Sequence, residues 1–265
     1  MPINNLTRHA LAIGASGSGK TVLTKGIAEE CIFRGVTVVA LDNQGDLCGL
    51  GIGDNTTGRL GVAPRVEYMT AGLGVAGVDQ LNLLDFFSEP ETLARQCLSL
   101  VGISCPQSLA VLTDYIQEFQ PTNINELCEY LSDMHNPKLC TKGKSETLAR
   151  LLNGLLIGSS EELVKGVAFD PAKYITKGKS VVIHTAELEL AQQASVVSSV
   201  AGKLFAYCAD NASDRLQCLL YLDEIAPYCP PIRNTSAKAA IMRIAKQGRK
   251  YGLGLLLATQ SIGDA

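Results

Sequence analysis

Nowhere in these 265 residues does an apolar stretch approach the roughly 20 residues that cross a bilayer. The amino terminus also lacks the charged and apolar regions of a secretory signal. None of the nine cysteines forms a C-x-x-C pair or a spacing that suits zinc, and their odd, scattered placement reads as reduced, mostly buried thiols. Basic residues are not in excess: a formal charge of −3 argues against a surface that binds nucleic acid all over, although a local basic site remains open. Internal repeats and low-complexity tracts are missing too. These absences give the expectation of a cytoplasmic globular protein with no membrane partner. At 46% hydrophobic residues, the chain can bury a sizeable core.

What is present is sharper. Gly14-Ala15-Ser16-Gly17-Ser18-Gly19-Lys20-Thr21 matches G-x-x-x-x-G-K-[ST] in full, after the apolar run Ala10–Ile13 and before a helix-like segment Thr21–Phe33. Glycines let successive backbone N–H groups converge on phosphates, and a helix N-terminus adds partial positive charge. Lys20 is then placed to bridge phosphate oxygens, and the Thr21 hydroxyl to reach Mg²⁺. The motif predicts nucleotide binding.

Six apolar runs read as strands: Ala10–Ile13, Val36–Leu41, Val66–Met69, Val181–Thr185, Leu216–Leu222 and Leu253–Thr259. Most are continuous rather than alternating, as strands covered on both faces require, and helical segments separate most of them. The expected class is α/β, a mostly parallel sheet flanked by helices. Between the third and fourth runs, helix-like pieces Glu91–Val101, Ser108–Phe119, Asn125–Met134 and Ser145–Leu156 are punctuated by Pro106, Pro121 and Pro137. The predicted organisation is a core from residues 1–88 and 167–265, with a helical insertion over 89–166 serving packing or subunit contact.

Hydrolysis needs carboxylates. Leu219–Leu222 ends in Asp223-Glu224, where the first would assist the metal and the second would act as base on the attacking water. A rival strand, Thr37–Leu41, ends in Asp42 only 22 residues after Lys20, but no Glu follows it. Asp42 can be a secondary acidic group near the phosphates or a cap on the Asn43-Gln44-Gly45 turn. Gln260, just past the last strand, can reach toward a γ-phosphate or be an ordinary loop residue. From Arg233 to Lys250 the chain carries six basic residues and no acidic one, whereas the remainder holds 17 basic against 26 acidic. Arg243, Lys246 and Lys250 have the spacing of one helix face, which reads as a solvated face or as a site for polynucleotide phosphate or a neighbouring subunit's ATP.

Together these pieces resemble the HerA/FtsK superfamily of P-loop ATPases, in its HerA-like helicase and translocase branch. The residues that carry the resemblance are Ile13–Thr21, Leu41-Asp42-Asn43-Gln44-Gly45-Asp46-Leu47, Leu222-Asp223-Glu224, and Gln247-Gly248-Arg249-Lys250-Tyr251-Gly252 leading to Leu256–Gln260. The resemblance implies a RecA/ASCE-like fold and an ATP-hydrolysing motor using Mg²⁺ on duplex DNA, assembled as a homo-oligomeric, hexameric ring. It implies that Asp42 is acidic near the active site, that Gln260 is a polar sensor, and that Arg249 is an arginine finger. It also implies a barrel domain before, and strands after, the part seen here, so the sequence is expected to be C-terminally truncated or a fragment. The alternative class is a nucleotide-gated assembly or scaffold ATPase with little DNA-dependent turnover.

Overall fold

The structure is a computed structural model that describes residues 2–50, 66–72, 75–86, 88–133, 140–157, 161, 163–232 and 235–260. Met134, Pro137 and Arg233, and the residues after Gln260, fall outside them. In chain order the elements are β1 (Ala10–Ile13), α1 (Lys20–Phe33), β2 (Thr37–Asp42), β3 (Val66–Thr70), β4 (Asp79–Gln80), α2 (Pro90–Leu100), α3 (Pro106–Phe119), α4 (Ile124–Asp133), α5 (Lys142–Asn153), α6 (Pro171–Ile175), β5 (Ser180–His184), α7 (Leu190–Asp210), β6 (Cys218–Leu222), α8 (Ser236–Gln247) and β7 (Leu253–Thr259). Short 3₁₀ turns cover Ile3–Arg8, Gly154–Leu156 and Gly248–Tyr251.

The strands form one seven-stranded sheet in the order β1-β7-β6-β2-β5-β3-β4, and the β1–β7, β7–β6, β6–β2, β2–β5 and β5–β3 pairs are parallel. The continuous apolar runs are explained by coverage on both faces. Val38 and Ala40 on β2 lie in register with Leu219 and Tyr221 on β6, and these join Ala28, Cys31 and Ile32 of α1 in one buried cluster. The alternate residues Val39, Leu41, Leu220 and Leu222 are equally buried and face the other way. On that side α7 and α8 pack against each other and against β7. The first strand departs from the pattern: Ala10 packs against the α1 cluster, while Leu11 and Ile13, on the opposite face, are exposed.

The chain divides into two compact units, one comprising Met1–Thr70, Gly77–Asp79 and Phe169–Ala265, the other Ala71–Ala76 and Gln80–Ala168. In the second unit, α2 packs on α3 and α4 on α5 through Leu93, Cys97, Leu112, Tyr115, Leu127, Leu131, Leu148 and Leu152, all buried. Pro106 proves to be the first residue of α3 and not a break before it, and Pro90 starts α2 in the same way. Proline's fixed φ suits a first helical position, where its missing N–H is not needed.

His9 ties the start of β1 to its neighbours. Its Nδ1 accepts from the Leu255 N–H at 3.1 Å and its Nε2 lies 3.1 Å from the Ala245 carbonyl, so the tautomer that makes both bonds is neutral with the proton on Nε2. Burial lowers the imidazole pKa below its ordinary 6.5, against the Ala245 bond, which favours the charged form. On acidification the unfolded chain therefore takes up this proton first. The stabilisation is complete above pH 6.5 and is lost as pH falls from there toward the folded pKa. In urea titrations, the stability gap between the wild type and His9→Gln is expected to be widest at neutral pH and to narrow below about 6.5. A gap independent of pH would contradict this.

Candidate nucleotide-binding site

The loop between β1 and α1 is built to be tight. Gly14 donates its N–H to the Thr259 carbonyl (3.2 Å), and a Cβ on Gly14 would lie 2.5 Å from Ser18 Oγ. Gly19, with φ +86°, is the left-handed residue from which α1 starts, a conformation costly for residues with a side chain. No side chain caps α1, so its first N–H groups and positive helix end face the loop Gly14–Gly19. Lys20 Nζ folds over this loop, donating to the carbonyls of Gly14 (2.5 Å) and Ala15 (3.1 Å).

The acidic strand comes to the same place. The Thr21 hydroxyl donates to Asp223 Oδ2 at 2.8 Å, although 202 residues separate them. The Asp223 carboxylate is only 8% exposed, and its other oxygen accepts from the Tyr221 hydroxyl (2.9 Å) and the Thr24 hydroxyl (3.3 Å), which are themselves 2.7 Å apart. Burial drives the Tyr221 phenol well above its ordinary pKa, with the Asp223 charge adding to the effect, so it stays a neutral donor. Tyr221 and Thr24 are positioning residues that sequence reading passed over. Their signal was present: Tyr221 is two residues from Asp223 on a strand, and Thr24 three from Thr21 on a helix, so each shares its partner's face.

Sheet order separates the two rival carboxylates. β6 is two strand positions from β1, about 10 Å, with β7 between them, while β2 lies one strand further, at about 14 Å. Thr21 meets Asp223, whereas Asp42 is 1% exposed and turned to its own turn. The Asp42 carboxylate accepts from the N–H groups of Gly45 (2.8 Å), Leu47 (3.2 Å) and Gln44 (3.4 Å), which is the capping arrangement. Glu224 follows Asp223 at the same sheet edge, 8% exposed, with Oε1 accepting from the Ala226 N–H at 3.3 Å. Gln260 is exposed one residue beyond β7, whose Thr259 pairs with Ile13 at the entrance to the glycine loop.

Arg249 is not brought to this cluster. It lies in the turn before β7, and seven residues of strand at about 3.3 Å each put it about 20 Å from the sheet edge that carries Gly14 and Glu224. The expected continuous basic face also changes. α8 ends at Gln247, so Lys250 sits beyond the helix with its ammonium 5.0 Å from the Tyr251 ring centre, while Arg243 stacks on Phe205 at 4.1 Å. The cause is the Gly248–Tyr251 turn, which stops the helical phase before Lys250. Lys238 is drawn to the Pro230 carbonyl at 2.7 Å. Lys246, Arg249 and Lys250 remain exposed at the end of the segment.

A glycine-loop strand, a second strand carrying the acidic pair and an intervening strand define the P-loop ATPase fold. The family model for the helicase HerA-like C-terminal domain matches residues 1–116. No curated protein matches the sequence. Among solved structures, the bacterial conjugative coupling protein TrwB in a sulphate complex is similar over 100% of this chain at 15% identity, with a TM-score of 0.61. The plasmid coupling protein TrwB with ADP and Mg²⁺ gives 16% identity and 0.61 over the same share. VirB4 of Thermoanaerobacter pseudethanolicus gives 18% and 0.65 over 97% of this chain. The chain spans 65% and 66% of the two TrwB structures and 70% of VirB4. At these identities the likeness to the solved structures is one of fold, the P-loop ATPase fold of TrwB and VirB4. Among the described residues no helix is long and apolar enough to cross a membrane.

Proposed function

We propose that this chain is the ATP-hydrolysing motor domain of a HerA-like DNA helicase or translocase. The observation that carries the reading is the 2.8 Å bond from Thr21 to Asp223 with Glu224 next in the chain. A hydroxyl and a buried carboxylate in contact are the oxygen donors that Mg²⁺ takes alongside ATP phosphates, so the residues fit that ion. Thr21 and Asp223 would hold it, and when bound it neutralises phosphate charge. The glycine-loop N–H groups cradle the phosphates, and Lys20 exchanges its two carbonyl partners for phosphate oxygens. Glu224 takes the proton of the attacking water, and Gln260 contacts the γ-phosphate side from the tip of β7. Asp42 keeps its carboxylate on the 43–48 loop and shapes the turn beside the acidic strand.

Duplex DNA is the proposed partner, and exposed Lys246 and Lys250 are the local basic groups that suit its phosphates in a chain of net acidic charge. A homo-oligomeric ring, taken as a hexamer, lets Arg249 serve a neighbouring subunit. The test is steady-state ATP turnover with and without duplex DNA across a salt series. Stimulation by DNA that fades steeply as salt rises is expected, because displaced counterions drive such binding. Tight ATP binding with turnover indifferent to DNA at low salt would remove the DNA motor and favour a nucleotide-gated assembly protein.

A further inference from the structure

Asp42 and Cys48, six residues apart, meet His184, 136 residues beyond Cys48, where the turn after β2 comes against the end of β5. Cys48 Sγ lies 3.3 Å from Asp42 Oδ2 and 3.9 Å from His184 Nδ1, and His184 Nδ1 lies 3.6 Å from the same Asp42 oxygen. The three distances close a triangle of one sulfur, one nitrogen and one oxygen. An ion with bonds of about 2.0 Å to nitrogen and oxygen and 2.3 Å to sulfur, in tetrahedral geometry, spaces its ligands about 3.3–3.6 Å apart. Shifts of a few tenths of an ångström would complete the fit. We propose that these side chains bind a divalent transition-metal ion of the zinc class at a site distinct from Thr21 and Asp223.

The donor set decides the class of ion. Mg²⁺ and Ca²⁺ take oxygen ligands, whereas a mixed thiolate, imidazole and carboxylate set suits Zn²⁺ and its tetrahedral relatives. The Asp42 carboxylate is already oriented, since the Gly45 and Leu47 N–H groups hold its two oxygens, the kind of outer support that fixes a metal ligand. Access is open: Cys48 is exposed and the His184 side chain is 22% exposed. Binding breaks the Cys48 thiol's hydrogen bond to Asp42 and releases the thiol proton to solvent, leaving a thiolate on the metal. Three protein ligands leave a fourth position for water. The bound ion would clamp the 43–48 loop to the end of β5.

The inference does not depend on the proposed function, and its test reads the metal directly. Adding Co²⁺ to the whole chain should give thiolate-to-cobalt absorption that saturates at one equivalent and disappears when Zn²⁺ is added. Cys48→Ser should abolish that absorption, and His184→Ala should weaken Co²⁺ binding about tenfold or more. Absorption that persists in Cys48→Ser, or unchanged affinity in His184→Ala, would overturn the site. The unmodified chain provides a check that does not depend on variants folding. Zn²⁺ should slow alkylation of Cys48 by iodoacetamide while leaving Cys140 unaffected, and an unchanged rate at Cys48 would equally overturn it.

Discussion

Glu224→Gln is expected to bind ATP as the wild type does and to lose turnover by a factor of about 10² to 10⁴, the usual contribution of a positioned base. The substitution keeps the side chain's shape, and its amide oxygen can still accept the Ala226 N–H that Glu224 Oε1 accepts at 3.3 Å. The groups that would hold nucleotide and Mg²⁺ are untouched: the Thr21–Asp223 bond, the support of Asp223 by Tyr221 and Thr24, and the glycine loop are made by other residues. What the amide cannot do is take a proton from water. Affinity for a fluorescent ATP analogue and single-turnover hydrolysis, measured on one preparation, separate these effects. Turnover at the wild-type level would remove Glu224 from the role of base, and a parallel loss of binding would make it a support of the loop.

The sequence states the sheet's strands more clearly than their order. Runs such as Thr37–Leu41 and Leu219–Leu222 are apolar because helices cover both faces, and that burial is written in every residue. Nothing local says that β7, the last strand in the described chain, slots between β1 and β6. That placement separates Asp223, which reaches Thr21, from Asp42, which does not, though both end apolar strands. The Asn43-Gln44-Gly45 turn already hinted at a cap, and the bonds to Gly45 and Leu47 account for Asp42's burial. β4, two residues long with no apolar run, left no pattern to find. The basic spacing of Arg243, Lys246 and Lys250 misled for a definite reason: helical periodicity was carried through Gly248, where the backbone changes to a 3₁₀ turn. His184 gave no signal, because its nearness to Asp42 and Cys48 depends on the parallel pairing of β2 with β5.

Arg249→Ala is expected to lower turnover by about 10³ to 10⁵, with nucleotide affinity nearly intact, if its guanidinium completes a neighbour's site as arginine fingers do. The fold supplies the reason such a finger would act on a neighbour. Arg249 precedes β7 while the glycine loop and acidic pair lie past the strands' C-terminal ends, so about 20 Å of strand separates it from its own site. The turn that presents it is held rigidly. A Cβ at Gly252, where φ is +71°, would lie 2.3 Å from the Arg215 carbonyl, the Tyr251 carbonyl accepts from Gln217 at 2.8 Å, and the Tyr251 ring meets Phe205 edge-on. Arg249 itself is exposed and makes no ion pair among the described residues, as a residue kept for a partner would be. Mixing settles the direction of action: Arg249→Ala subunits keep Glu224, and Glu224→Gln subunits keep the arginine, so a mixture should regain turnover that neither has alone. If the mixture stays as inactive as its parts while the two variants are shown to co-assemble, Arg249 does not act between subunits.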